Sequence, residues 1–215
     1  MDDELFMRKA IALSKAAAEH GNEPFGAVLV KDGEIVFTNE NQVHTRHDPT
    51  FHGEAGLIRE FCGATGITDL RDYTLYSSCE PCFMCSGAMV WVKLGRLVYG
   101  ASNRDLEHIF DEEGCDCSHI VFEHSGWQPK VTSGVLREDC LAVLNDYFRP
   151  LVEQNTVHGR KSRSWAVLYF SCSANRSGSG TSGISSRLTT VSISSSLAQS
   201  SAGKRCTMRS MTSAI

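Results

Sequence analysis

Four side chains in two short stretches are of types that do chemistry together. His52 and Glu54 stand two apart in Phe51-His52-Gly53-Glu54, and Cys82 and Cys85 stand three apart just after Pro81. Proline behind a small polar run marks the first turn of a helix, so both thiols project from one side of that turn. The free amide hydrogens and dipole of a helix start favour negative charge and draw a thiol toward the thiolate that a metal needs. Zinc takes four tetrahedral sulfur or nitrogen ligands, and a structural site would show paired spacings such as two CxxC units. This chain offers one pair. His52 is the best third ligand, leaving the fourth position to water and a carboxylate, Glu54, beside it, as at a catalytic zinc. Taken singly, a CxxC is also a redox pair, and a His next to a Glu is also a packed or solvated pair. Both halves in this order, with the strand-like Tyr73-Thr74-Leu75-Tyr76 feeding the cysteines, favour the catalytic metal.

The elements that must position these groups can be read in order. From Asp3 to His20, Leu5, Phe6, Ile11 and Leu13 recur with alanines at helical spacing, and Gly21 is a C-cap. Pro24 to Val30 reads as a buried strand, Asp32-Gly33 as a hairpin turn, and Glu34 to Thr38 as the returning antiparallel strand. Asn39 to Thr50 is a polar loop ending in Asp48-Pro49-Thr50, which can cap a helix carrying His52 and Glu54 to about Cys62, with Leu57, Ile58 and Phe61 buried. A strand at Tyr73–Ser78, the cysteine helix to about Lys93, a break at Gly95 and a strand at Arg96–Gly100 follow. Residues 102–128 read as irregular, Val131–Val135 as a short strand and Arg137–Arg149 as an amphipathic helix with Leu141, Leu144, Tyr147 and Phe148 inward. Strands alternating with helices after an opening hairpin predict an α/β fold, a three-layer α/β/α arrangement around a mixed sheet of about five strands. Ligands at two adjacent helix starts would then meet at one end of that sheet.

A length of 215 residues with 41% hydrophobic residues suits one core with an appendage. No apolar run approaches a membrane span, and the acidic start MDDELFMRKA is unlike a signal peptide, so a reducing cytoplasm is expected and the nine cysteines need not pair. All 25 Asp and Glu lie at or before Glu153, against 13 Lys and Arg, so residues 1–157 carry −12 and residues 158–215 carry +8. That divides the chain into a domain, 1–157, and a basic, Ser-rich tail, 158–215, whose composition is that of a disordered segment, though a basic tail also suits nucleic acid. Cys115, Cys117, His108 and His119 offer a second metal cluster at irregular spacing, while Cys62 and Cys140 read as core residues.

H-x-E followed by P-C-x-x-C is the established signature of zinc nucleobase deaminases, and over roughly residues 5–150 the chain resembles the cytidine-deaminase superfamily. Pro24-Phe25-Gly26-Ala27-Val28, Ser78-Cys79-Glu80-Pro81-Cys82 and Trp91 resemble its bacterial guanine deaminases. Arg46-His47-Asp48-Pro49-Thr50, Gly87-Ala88-Met89 and Gly134-Val135-Leu136 with Cys140 resemble its tRNA adenosine deaminases. Both branches usually carry alanine where this chain has Gly53. The guanine branch also brings a C-terminal segment into its site, which the tail here does not match.

The resemblance implies Zn2+ held by His52, Cys82 and Cys85, with Glu54 as the catalytic acid and base. It implies substrate contacts from Asn41, the amide of Gly53, Phe25 and Asp111. Asn41 also reads as a turn residue, Phe25 as core, and Asp111 as a solvated acid. The expected reaction is hydrolytic deamination of a small-molecule nucleobase, guanine or isocytosine. The alternatives are editing of adenosine in tRNA, where nucleic acid becomes a partner, deamination of cytosine, and a non-catalytic zinc scaffold. Relatives complete their pockets across a subunit interface, which implies a homodimer with Trp91 or Trp127 at the contact.

Overall fold

A computed structural model of the chain describes residues 2–110 and 117–157, and the backbone alone over 154–157. Asp111, Cys115 and the tail at 158–215 lie outside the described residues. Five strands, β1 (Gly26–Lys31), β2 (Glu34–Glu40), β3 (Tyr73–Cys79), β4 (Arg96–Ala101) and β5 (Lys130–Thr132), form one sheet in the order β2-β1-β3-β4-β5. The β1 pairings with β2 and β3 are antiparallel, whereas β3 with β4 and β4 with β5 are parallel, so the sheet is mixed as expected. Asp32 and Gly33 both take positive φ, 52° and 81°, the turn that suits the twist of a two-residue hairpin.

Alternation along the strands sorts the side chains into two cores. Val28, Val30, Tyr76 and Val98 face one way and pack with Phe6, Met7, Ala10 and Ile11 of α1 (Asp3–Glu19) and with Cys140, Val143, Leu144 and Phe148 of α7 (Arg137–Val157). Ala27, Leu29, Leu75 and Leu97 face the other way and pack with Leu57, Ile58 and Phe61 of α3 (Gly53–Thr65), Met89 of α4 (Phe83–Trp91) and Phe122 of α6 (Ser118–Glu123). This gives three layers, with a period of two in the middle and helical stripes outside. Gly26 lets α1 and β1 approach closely, because a Cβ there would stand 2.3 Å from the Ala10 carbonyl oxygen.

Three expectations need correction. Residues 102–128 are not wholly irregular: they contain α5 (Asn103–Phe110), which lays Leu106, Ile109 and Phe110 on the α1/α7 core, and α6, which buries Phe122 in the other. The loop after β2 holds a short helix, α2 (Val43–Arg46), held by Asn22 Oδ1, which accepts from the backbone amides of His44 and Thr45 at 3.1 and 3.0 Å. Leu5, expected on the buried face of α1, is 59% exposed, and Met7 takes the core position instead. No helix among the described residues is long and apolar enough to cross a membrane.

Candidate active site

The N-caps of α3 and α4 are His52 and Cys82, in extended conformation, and neither side chain makes a capping bond. Such positions usually hold Ser, Thr, Asp or Asn, whose oxygens serve the helix. Here the imidazole and the thiol are left for other partners. The helix amides turn to sulfur instead: the Ala55 amide, in the first turn of α3, hydrogen-bonds the Cys85 sulfur, and the Cys85 amide hydrogen-bonds the Cys82 sulfur. Asp48 accepts from Thr50 through both its amide and its hydroxyl, at 2.8 and 2.7 Å, so it shapes the approach to His52 and does not cap α3. Arg46 stacks 3.9 Å above the Phe51 ring and bonds Glu60 at 2.8 Å, which fixes the residue before His52.

His52 Nδ1 stands 3.6 Å from Cys82 Sγ. Ligand atoms of His52, Cys82 and Cys85 all lie within 4.8 Å of one another. Tetrahedral bonds of about 2.3 Å to sulfur and about 2.0 Å to nitrogen would set such a pair about 3.6 Å apart, so the donor set fits zinc. The electrostatics point the same way. The hydrogen bond from Cys85 lowers Cys82 to about 4 against the cost of burial, with His52 assisting. Burial opposes a charged His52, but the bond and charge of Cys82, with Glu54 and Glu23 beyond, raise it to about 9. The Cys85 thiol is pushed up by its bond to Cys82 and by burial.

Glu54, in the first turn of α3, is 6% exposed. Its Oε1 accepts from Ser77 Oγ at 2.7 Å, and its Oε2 lies 3.5 Å from Cys85 Sγ. Burial and the Cys82 charge raise the pKa of this carboxyl, while the Ser77 hydroxyl lowers it. A carboxyl so placed holds a proton more readily than one in water and can act as both base and acid.

The expected substrate contacts fall partly together. Asn41 donates its amide to the Phe25 carbonyl at 2.8 Å, and a Cβ on Gly53 would lie 3.4 Å from that same oxygen and 3.6 Å from the Asn41 nitrogen. Asn41 Oδ1 accepts from the Val43 amide at 3.1 Å, whereas its buried Nδ2 has no partner among the described residues. Asn41 is thus both a turn residue and an unspent donor. Phe25 packs its ring against Phe148, centroids 6.1 Å apart, on the α1/α7 core while presenting its carbonyl to the site.

The other group of candidate metal ligands, disfavoured by its irregular spacing, takes another form. Ligand atoms of Glu80, Cys117 and His119 do gather, but Cys117 is disulfide-bonded and Glu80 is already satisfied. Glu80 Oε1 accepts from the Ser118 amide and hydroxyl at 2.9 and 2.8 Å, and its Oε2 accepts from the Asn103 amide at 3.1 Å. Sequence reasoning missed Ser77, Glu23 and the clasp made by Glu80. The signal for Ser77 was present: Ser77-Ser78 interrupts a strand whose every residue is buried.

The model of the cytidine and deoxycytidylate deaminase zinc-binding region matches residues 1–101. The tRNA-specific adenosine deaminase of Bacillus subtilis is 40% identical over 154 residues, covering 69% of this chain and 90% of that one. The chain belongs to the cytidine-deaminase superfamily. The guanine deaminase of Bacillus subtilis is 41% identical over 124 residues, 57% of this chain and 77% of that protein. A solved structure from work on A-to-I editing by tRNA:A34 deaminases superposes with a TM-score of 0.57 at 30% identity, covering 65% of this chain and 99% of that one. Membership makes the chain a zinc-binding deaminase that hydrolyses C–N bonds, with relatives in both branches of the superfamily.

Proposed function

We propose that this superfamily member removes the amino group of a free nucleobase, guanine or its pyrimidine counterpart isocytosine, by hydrolysis. His52 Nδ1, Cys82 Sγ and Cys85 Sγ would hold zinc, and Glu54 would be the catalytic acid and base. Zinc supplies a Lewis acid that lowers the pKa of coordinated water to about 7. Glu54 Oε2, the oxygen not held by Ser77, takes the proton that the attacking water loses. It returns that proton to the ring nitrogen beside the reacting carbon. The same carboxylate then takes the remaining proton of the added hydroxyl and passes it to the amine, so that the C–N bond breaks, one water is consumed, one ammonia leaves and a carbonyl remains. Ser77 keeps the carboxyl pointed at the site throughout.

The observation that carries the substrate assignment is the buried, unspent Nδ2 of Asn41 next to Gly53. Guanine and isocytosine share an amino-amide edge, and Asn41 supports binding of its carbonyl oxygen with the amide of Gly53 alongside. Editing of adenosine in tRNA is favoured by the long match to an adenosine deaminase. It would need Lys and Arg at the phosphates, and residues 1–157 carry −12. The reading includes a homodimer, supported by Trp91, 88% exposed at the end of α4 with Phe83 and Met84 also exposed. Trp127 is instead committed within the chain, donating Nε1–H to the Leu94 carbonyl at 2.8 Å. It also includes a cytoplasmic setting, which the free thiols of Cys62, Cys79, Cys82, Cys85 and Cys140 favour and the disulfide-bonded Cys117 opposes.

Ammonia release from guanine, isocytosine, cytosine and adenine, from their nucleosides and from an adenosine-containing tRNA loop tests the assignment. Release from guanine or isocytosine, abolished by a chelator and restored by zinc, is expected. Release from the tRNA loop alone would transfer the assignment to editing, and release from none would leave a zinc scaffold.

A further inference from the structure

Buried carboxylates require donors, because a carboxyl withdrawn from water without one loses its solvation uncompensated. Glu54 has Ser77, Glu80 has Ser118 and Asn103, and Asp105 has Ser102 and Arg137. Glu23 is the exception: it is half-buried and its carboxyl makes no hydrogen bond or ion pair with the described residues. Burial raises the pKa of its carboxyl, and its charge is felt at His52.

The backbone fixes where this carboxyl is presented. Asn22, before it, is buried and anchors α2 through its Oδ1. The amide of Phe25, two residues on, closes a tight turn onto the Glu23 carbonyl at 2.9 Å, with Pro24 buried between them. The carbonyl of that same Phe25 lies 2.8 Å from the Asn41 nitrogen and borders Gly53. One short segment therefore supports the site around His52 with an unspent acceptor at Glu23, next to a segment that brings an unspent donor at Asn41.

We propose that Glu23 is a specificity-determining residue that accepts a hydrogen bond from the ring N–H of a free base, at the nitrogen where a nucleoside carries its sugar. The inference rests on the free-base reading given above. The reacting amine must face Glu54, so it is not available to a second carboxylate. The amide oxygen of the base suits Asn41. Guanine carries one further donor, an imidazole ring N–H that isocytosine lacks, and a sugar removes it at the glycosidic nitrogen. A carboxylate at that point also repels the phosphates of a nucleotide, which adds discrimination by repulsion.

The zinc-loaded full chain tests this with guanine and 9-methylguanine, which differ in the ring N–H, measured on the wild type, Glu23→Gln and Glu23→Ala. Loss of a hydrogen bond to a charged group is worth about ten- to hundredfold in affinity. The wild type should show a KM for 9-methylguanine higher than for guanine by about that factor, with kcat less affected. In Glu23→Ala KM for guanine should rise and the ratio between the two bases should collapse toward one, whereas Glu23→Gln, whose amide oxygen still accepts, should keep part of the ratio. A wild-type ratio that survives in Glu23→Ala overturns the Glu23 assignment while leaving the free-base reading intact. Turnover of the tRNA loop with none of either base overturns both.

Discussion

Glu54→Gln isolates the proton chemistry from the metal. The substitution keeps the shape of the side chain and leaves an amide oxygen to accept from Ser77 Oγ, now at 2.7 Å from Oε1. The first turn of α3 and the placement of His52 should therefore be unchanged. What disappears is the ability to move a proton, which the mechanism uses at the ring nitrogen and again at the leaving amine. A positioned acid or base contributes about 10²–10⁴ in rate, and one group serving two transfers is not counted twice. A fall in kcat of about 10³ or more is expected, equivalent to about 4 kcal/mol of barrier. Stability should hold or rise, because burial already disfavours the charged carboxyl that the substitution removes. Ammonia release, zinc content by atomic emission and thermal melting on the same preparations provide the readout. Activity within tenfold of wild type at full zinc content would refute the proton-shuttle role; a loss of zinc would show that Glu54 supports the metal instead.

Two further outcomes can be checked by melting. The Asp3 carboxylate accepts from both Arg96 guanidinium nitrogens at 2.8 Å and from the Tyr76 hydroxyl at 2.8 Å, and the Arg96 bond above all holds its pKa below the usual value. A depressed acid stabilises the fold above its unfolded pKa and loses that contribution as pH falls through the folded one. Asp3→Asn should cost about 1–2 kcal/mol at pH 7, with the difference shrinking as the pH falls below the ordinary range for an aspartate, and a gap independent of pH would contradict the account. Gly53→Ala should be tolerated, because the added methyl meets the Phe25 oxygen at 3.4 Å, ordinary contact; a gain of about 0.4–1 kcal/mol is expected, and a marked loss of stability would mean that the site has no room there.

The strands, the hairpin and the two ligand helices were legible because their signals are local: alternation, a turn dipeptide, and proline ahead of a cysteine pair. The meeting of His52 with Cys82 followed from helix starts sharing one end of a sheet. Leu5 and Met7 could not be ranked by periodicity, since neighbouring positions on α1 border the same apolar stripe. Helices α5 and α6 were missed because they are short and charged, with three apolar residues each, and a buried carboxylate just after β3, Glu80, anchors the start of both. Glu23 carries no signal of its own in the sequence, because what sets it apart is the turn that leaves its carboxyl without a donor among the described residues.

Glu80 lies directly before Pro81 and Cys82, yet its two oxygens are tied to amides that belong to α5 and α6. One carboxylate thus ties the first residues of two helices to the segment that leads into Cys82. Replacing it would loosen α5, α6 and the start of α4 together, so these three elements stand or fall as one unit.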